Sequence, residues 1–146
     1  MIKQRGKLIV LGVFILLLAP VLAACSSASA SSNGSTINVT ETSYKFELSP
    51  KTATAGTVTF HVTNKAPDVE HDFVVIQTAT PAGQLPVASS GLVDEAKAGK
   101  VMGTVKGVPT GGSKDLTLDL APGHYAIICD LPGHYQLGMY ADLTVK

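Results

Sequence analysis

From Tyr125 to Met139 the chain reads Tyr-Ala-Ile-Ile-Cys-Asp-Leu-Pro-Gly-His-Tyr-Gln-Leu-Gly-Met. A short apolar run ends on Cys129, Pro132-Gly133 turns the chain back, and His134 and Met139 follow at intervals of five. Thiolate and thioether are soft ligands, and imidazole suits several transition metals. Three such side chains can meet at one point if a strand ends on the cysteine and the loop folds back over that end. Gly138 is expected to let the backbone come close to a bound metal. The segment therefore fits a metal site built where a strand ends and a loop returns.

The rest of the domain agrees with a β-scaffold. Residues 57–63 are rich in β-branched side chains and stop at Asn64, a turn former. His71 to Thr78 encloses Phe73-Val74-Val75-Ile76, which suits a buried strand better than so short a helix. Residues 116–120 alternate apolar and polar, 125–129 form a second apolar run, and 143–145 close the chain. Weaker strand signals lie at 37–40 and 44–48. Pro50, Gly56, Pro67, Gly111-Gly112 and Pro122-Gly123 punctuate these runs. Short strands with such spacing predict an all-β sandwich or barrel. The stretch from Thr80 to Gly107 breaks the pattern. It holds the one plausible short helix, at 94–98, and is expected to cross one side of the sandwich, with Met102 packed beneath it.

The first 24 residues have another character. Lys3, Arg5 and Lys7 precede an apolar run from Leu8 to Ala19, followed by small residues, which is the layout of an export signal. That run is short beside the roughly 20 apolar residues of a membrane span. Leu22-Ala23-Ala24-Cys25 resembles the lipobox of bacterial lipoproteins. The resemblance implies cleavage before Cys25, lipid on its sulfur and a firm multi-chain anchor. An ordinary secretory signal cut nearby is the alternative. Residues 25–35 are Ser/Ala-rich and lack apolar periodicity, so they are expected to form a flexible tether. The folded domain is then 36–146, with residues 1–24 as signal.

Lys3, Arg5 and Lys7 are the only charged residues before Cys25, so removing the signal leaves eight Lys and Arg against 11 Asp and Glu. A mildly acidic chain without a basic cluster excludes nucleic acid as an expected partner. The two cysteines are Cys25 and Cys129. With Cys25 lipidated, Cys129 is an unpaired thiol outside the cytoplasm, where metal coordination would protect it.

A second histidine is needed to complete a copper site of two His, one Cys and a weak axial Met. His61 sits in mid-strand. His124 lies on the strand leading to Cys129, and alternation puts Tyr125, Ile127 and Cys129 on one face and His124 on the other. His71 remains, at the start of a buried strand just after a polar loop, where the sheet behind can hold a ligand rigidly. Zinc would accept Cys and His without favouring Met. A dinuclear copper centre would need a second cysteine on the loop. A Cys129 nucleophile with His134 as base lacks any recognisable substrate pocket.

The pattern Gly123-x-Tyr125-x-x-x-Cys129-x-x-Pro132-Gly133-His134-x-x-x-Gly138-Met139 is similar to that of the cupredoxins, in particular the small plastocyanin- and auracyanin-like members. Phe60-x-Val62-x-Asn64 and His71-x-Phe73 resemble that family's first-ligand region. The resemblance spans 36–146. It implies a Greek-key β-sandwich with one short helical excursion and one type 1 copper held by His71, Cys129, His134 and Met139. It further implies an imidazole edge of His134 reaching the surface among Leu131, Pro132, Leu137 and Gly138, where redox partner proteins would dock.

Asp72 and Asp130 stand where many members of that family carry Asn, Ser or Thr side chains that tie the two ligand loops together. Two carboxylates cannot bond each other without a shared proton or a third group. The expected function is single-electron transfer at the cell envelope, outside the cytoplasm and tethered to the membrane. Envelope copper storage, delivery or sensing is the alternative. With one domain and no further histidine cluster, the chain is not expected to be an enzyme.

Overall fold

A computed structural model describes residues Gly34–Lys146. The expectations for the signal segment 1–24, for Cys25 and for most of the tether lie outside the described residues. Nine strands form two sheets. They are β1 (Ser35–Thr42), β2 (Lys45–Ser49), β3 (Thr52–Ala53), β4 (Gly56–Asn64), β5 (His71–Gln77), β6 (Lys100–Val108), β7 (Ser113–Leu120), β8 (Gly123–Ile128) and β9 (Tyr140–Val145). One sheet has the order β2-β1-β4-β7 and the other β3-β9-β8-β5-β6. β1 and β4 pair in parallel, as do β3 and β9, and the remaining pairs are antiparallel. The all-β sandwich expected from the strand spacing is the fold. No helix among the described residues is long and apolar enough to cross a membrane.

Alternation builds the main core. Ile37 and Val39 of β1, Val58, Phe60 and Val62 of β4, and Phe73 and Val75 of β5 point into the space between the sheets and are buried. Tyr125, Ile127 and Cys129 join them, so the predicted parity of β8 holds. The outer faces of β5 and β8 are buried too. Val74, Ile76, Ala126 and Ile128 meet Ala82, Leu85, Val93 and Ala98 of the excursion, together with Tyr135. A strand covered on both faces reads as a continuous apolar run, which is why 73–76 and 125–129 show no alternation.

The excursion ends earlier than the sequence suggests. It holds a 3-10 turn at Ala82–Gln84 and a one-turn helix α1 at Glu95–Ala98. Lys100–Val108 is then an edge strand paired with β5, its register shifted by irregularities. Met102 accordingly packs against the main core from β6 and does not lie beneath the excursion.

Candidate metal centre

His71, Cys129 and His134 lie buried together, their ligating atoms all within 4.8 Å of one another. His71 opens β5, Cys129 follows the last residue of β8, and His134 sits on the returning loop. The Cys129 sulfur is 3.3 Å from His134 Nδ1 and 4.0 Å from His71 Nδ1, and the two imidazole nitrogens are 3.2 Å apart. Nitrogens bound at about 2.0–2.1 Å to a common metal ion lie within about 4 Å of each other, and a sulfur at about 2.3 Å lies within about 4.4 Å of either. All three separations meet that condition.

Met139 is fully buried in the same core as Cys129. Its backbone is fastened to both neighbours: Cys129 N–H donates to the Met139 carbonyl (3.1 Å), and Met139 N–H donates to the His134 carbonyl (3.1 Å). Two soft sulfurs and two imidazoles are the donor set of a type 1 copper site, and the four residues are arranged as one. The site sequence reasoning assembled from separate segments is thus brought together at one end of the sandwich.

The loop folds on itself. His134 N–H donates to the Leu131 carbonyl, Leu137 N–H to Gly133 and Gly138 N–H to Tyr135. Gly133 and Gly138 take φ of +83° and +99°, in the left-handed region that glycine enters without a Cβ penalty. A Cβ on Gly138 would meet nothing within 4 Å. No protein atom competes for that space, and the backbone angle by itself calls for glycine at this position.

The two aspartates do not bond each other. Asp72 N–H donates to the Cys129 sulfur at 3.4 Å, while Asp72 Oδ1 accepts from Gly107 N–H at 2.8 Å and so binds β5 to β6. Asp130 Oδ1 accepts from Val93 N–H at 3.0 Å and fastens the ligand loop to the excursion. Tyr135 adds to this second tie: its hydroxyl donates to the Ala82 carbonyl (2.7 Å) and accepts from Leu85 N–H (2.9 Å). Asn64 shapes the approach to His71, donating to the Val69 and Val108 carbonyls and accepting from Ala66 N–H. Each carboxylate thus takes its own backbone amide, that of Gly107 for Asp72 and that of Val93 for Asp130.

Burial governs the ionisation of the ligands. It pushes the Cys129 thiol up to about 11, and it lowers the His71 and His134 imidazoles, with the nearby His134 lowering His71 further. A buried thiol beside two neutral imidazoles presents lone pairs to a cation. Coordination deprotonates a thiol outright, so copper binding is coupled to loss of the Cys129 proton.

Sequence reasoning passed over two residues near this site. The first is Glu41, on the core-facing side of β1 with Ile37 and Val39 and paired in register with Asn64. It is fully buried, and neither carboxyl oxygen has a hydrogen-bond partner. Burial, reinforced by the Asp72 charge, raises its carboxyl from the ordinary 4.5 to about 7. The folded state then binds the extra proton, so this contribution to stability is fully present below about pH 4.5 and is lost as pH rises through about 7. The loss is on the order of 2–3 kcal/mol. The lowered imidazoles of His71 and His134 act in the opposite sense, losing stability as pH falls. A comparison with Glu41→Gln, which cannot ionise, therefore isolates the glutamate. In urea titrations of the metal-free protein, the advantage of Glu41→Gln over wild type is expected to grow by about that amount between pH 4.5 and pH 7 or above. A constant difference would mean that Glu41 folds in its charged form.

The second is Tyr44, in the two-residue turn between β1 and β2. Its φ of +63° is the only positive value at a non-glycine position among the described residues. That conformation costs a residue with a Cβ about 1–2 kcal/mol, and Asn or Gly is its usual occupant. The Tyr44 ring stands edge-to-face with His134, centroids 5.1 Å apart and planes at 89°. Glu41 extends the Ile37/Val39 alternation and could have been found by parity. The Tyr44 contact spans ninety residues of sequence and leaves no local signal.

The sulfocyanin (SoxE) domain model matches residues 17–146. No curated protein sequence matches the chain. Among solved structures, reduced auracyanin from Roseiflexus castenholzii is similar at 23% identity and a TM-score of 0.59, covering 77% of this chain and 97% of its own. Rusticyanin from Thiobacillus ferrooxidans gives 21% identity and a TM-score of 0.56, covering 77% and 79%. Auracyanin B gives 23% identity and a TM-score of 0.52, covering 77% and 88%. These likenesses establish the sandwich, and the family match covers the strands and every metal-site residue. The chain belongs to the sulfocyanin (SoxE) domain family of cupredoxins.

Proposed function

We propose that the protein carries single electrons between redox partners outside the cytoplasm, tethered to the membrane through lipid on Cys25. The observation that supports this best is the preformed donor set. His71 at the start of β5 and Cys129, His134 and Met139 on the returning loop are fastened by Asp72, Asp130, Asn64 and Tyr135. Copper supplies the chemistry by alternating between Cu(I) and Cu(II). With the ligand positions set by the fold, little rearrangement would accompany each electron.

Partners dock at the end of the sandwich near His134. Leu137 there is 62% exposed, and Pro132 is exposed with Leu131 beside it. Small, weak interfaces suit such encounters. Burial weighs against copper delivery, because an acceptor protein would have to reach ligands that are 0–9% exposed. The chain acts as a carrier and not as an enzyme. Voltammetry of the copper-loaded protein is expected to show reversible one-electron cycling, with Cu(I) retained against a competing chelator. Irreversible cycling with ready release of Cu(I) would favour the delivery role.

A further inference from the structure

Tyr44 is outside the ligand set, yet the fold holds a bulky ring in a strained turn to bring it there. A hairpin turn alone would be better served by Gly or Asn at φ +63°. Strain kept in a turn that touches a metal ligand points to a role at that ligand. Exposure shows which role. Tyr44 is 38% exposed, whereas His134, whose ring it meets, is only 9% exposed. The His134 ring also faces the interior ligands His71 and Cys129, both fully buried. Tyr44 is thus a part-exposed ring packed against a buried imidazole on the side away from those ligands' interior.

We propose that Tyr44 is a positioning residue that covers the solvent side of His134, fixing the plane of its imidazole and excluding water from the copper site. Tyr44 acts through the edge-to-face contact alone. Water near the site stabilises the more highly charged oxidised form, so excluding it holds the reduction potential up. Uncovering His134 is expected to lower the potential and to admit small reagents to the ring.

This inference rests on the reading of His134 as a copper ligand, but the access claim can be tested without copper. Tyr44→Phe keeps the ring, Tyr44→Ala removes it, and Tyr44→Gly removes it while accepting the turn's φ without strain. Diethyl pyrocarbonate is applied to the metal-free proteins, and modification of each histidine is followed by mass spectrometry. His61 and His124 serve as internal references. His134 is expected to react severalfold faster in Tyr44→Gly and Tyr44→Ala than in wild type, and at the wild-type rate in Tyr44→Phe. In the copper-loaded proteins, the potential is expected to fall in the same two variants and stay in place in Tyr44→Phe. Equal His134 reactivity in all four proteins, or an unchanged potential in Tyr44→Gly, would overturn the proposal. A wild-type protein with no thiolate-to-copper absorption would refute the copper reading instead, and the metal-free reactivity would still decide whether Tyr44 covers His134.

Discussion

Serine in place of Cys129 is expected to give a folded protein that stays colourless when copper is added. The thiol sits at the centre of the donor set, 3.3 Å from one imidazole nitrogen and 4.0 Å from the other. The visible absorption of a type 1 site arises from charge transfer out of the thiolate. A hydroxyl is a harder donor with a far higher pKa and cannot reproduce it. Cys129→Ser therefore removes the band completely, and copper affinity drops by orders of magnitude as the softest ligand is lost. The metal-free fold should tolerate the change because serine is nearly isosteric. The Asp72 N–H that points at the sulfur at 3.4 Å finds a hydroxyl acceptor in its place. Absorption titrations and urea unfolding of the same samples separate the two effects.

The largest effect on stability is expected at Phe73. It is fully buried on β5 and packs across the sandwich against Phe46 of β2 (ring centroids 5.8 Å) and Phe60 of β4 (5.3 Å). These rings join one sheet to the other, so truncation opens a cavity between layers that cannot easily collapse. Phe73→Ala is expected to cost about 3–5 kcal/mol, a large part of the roughly 5–15 kcal/mol that holds a domain folded. Phe73 also follows His71 and Asp72 directly, so the copper site should loosen with the core. Guanidinium unfolding should show a lower midpoint with an unchanged slope. A cost below about 1 kcal/mol, the range of an exposed site, would mean that the sheets are held together elsewhere.

The parts of the protein that sequence reasoning recovered are those whose signals are local. β5 and β8 are apolar because both faces are covered, and the Cys-His-Met loop declares itself within eleven residues. His71 followed from strand parity and elimination. β6 escaped because it is an edge strand. In Lys100–Val108 only Val105 and Val108 are buried, and Gly103 and Gly107 weaken the pattern. Its place is set by pairing with β5, which no local window contains. The roles of Asp72 and Asp130 were illegible for a related reason. Their partners are the amides of Gly107 and Val93, and any residue type supplies an amide. Tyr44 reaches His134 only after the first hairpin and the last ligand loop have come together.

His71, Cys129, His134 and Met139 hold one copper as a type 1 site. Titrating the metal-free protein with Cu(II) while recording visible absorption tests it most directly. An intense thiolate-to-copper band is expected to saturate at one copper per chain and to be absent in Cys129→Ser. A titration that gives no such band, or one that persists in Cys129→Ser, would contradict it.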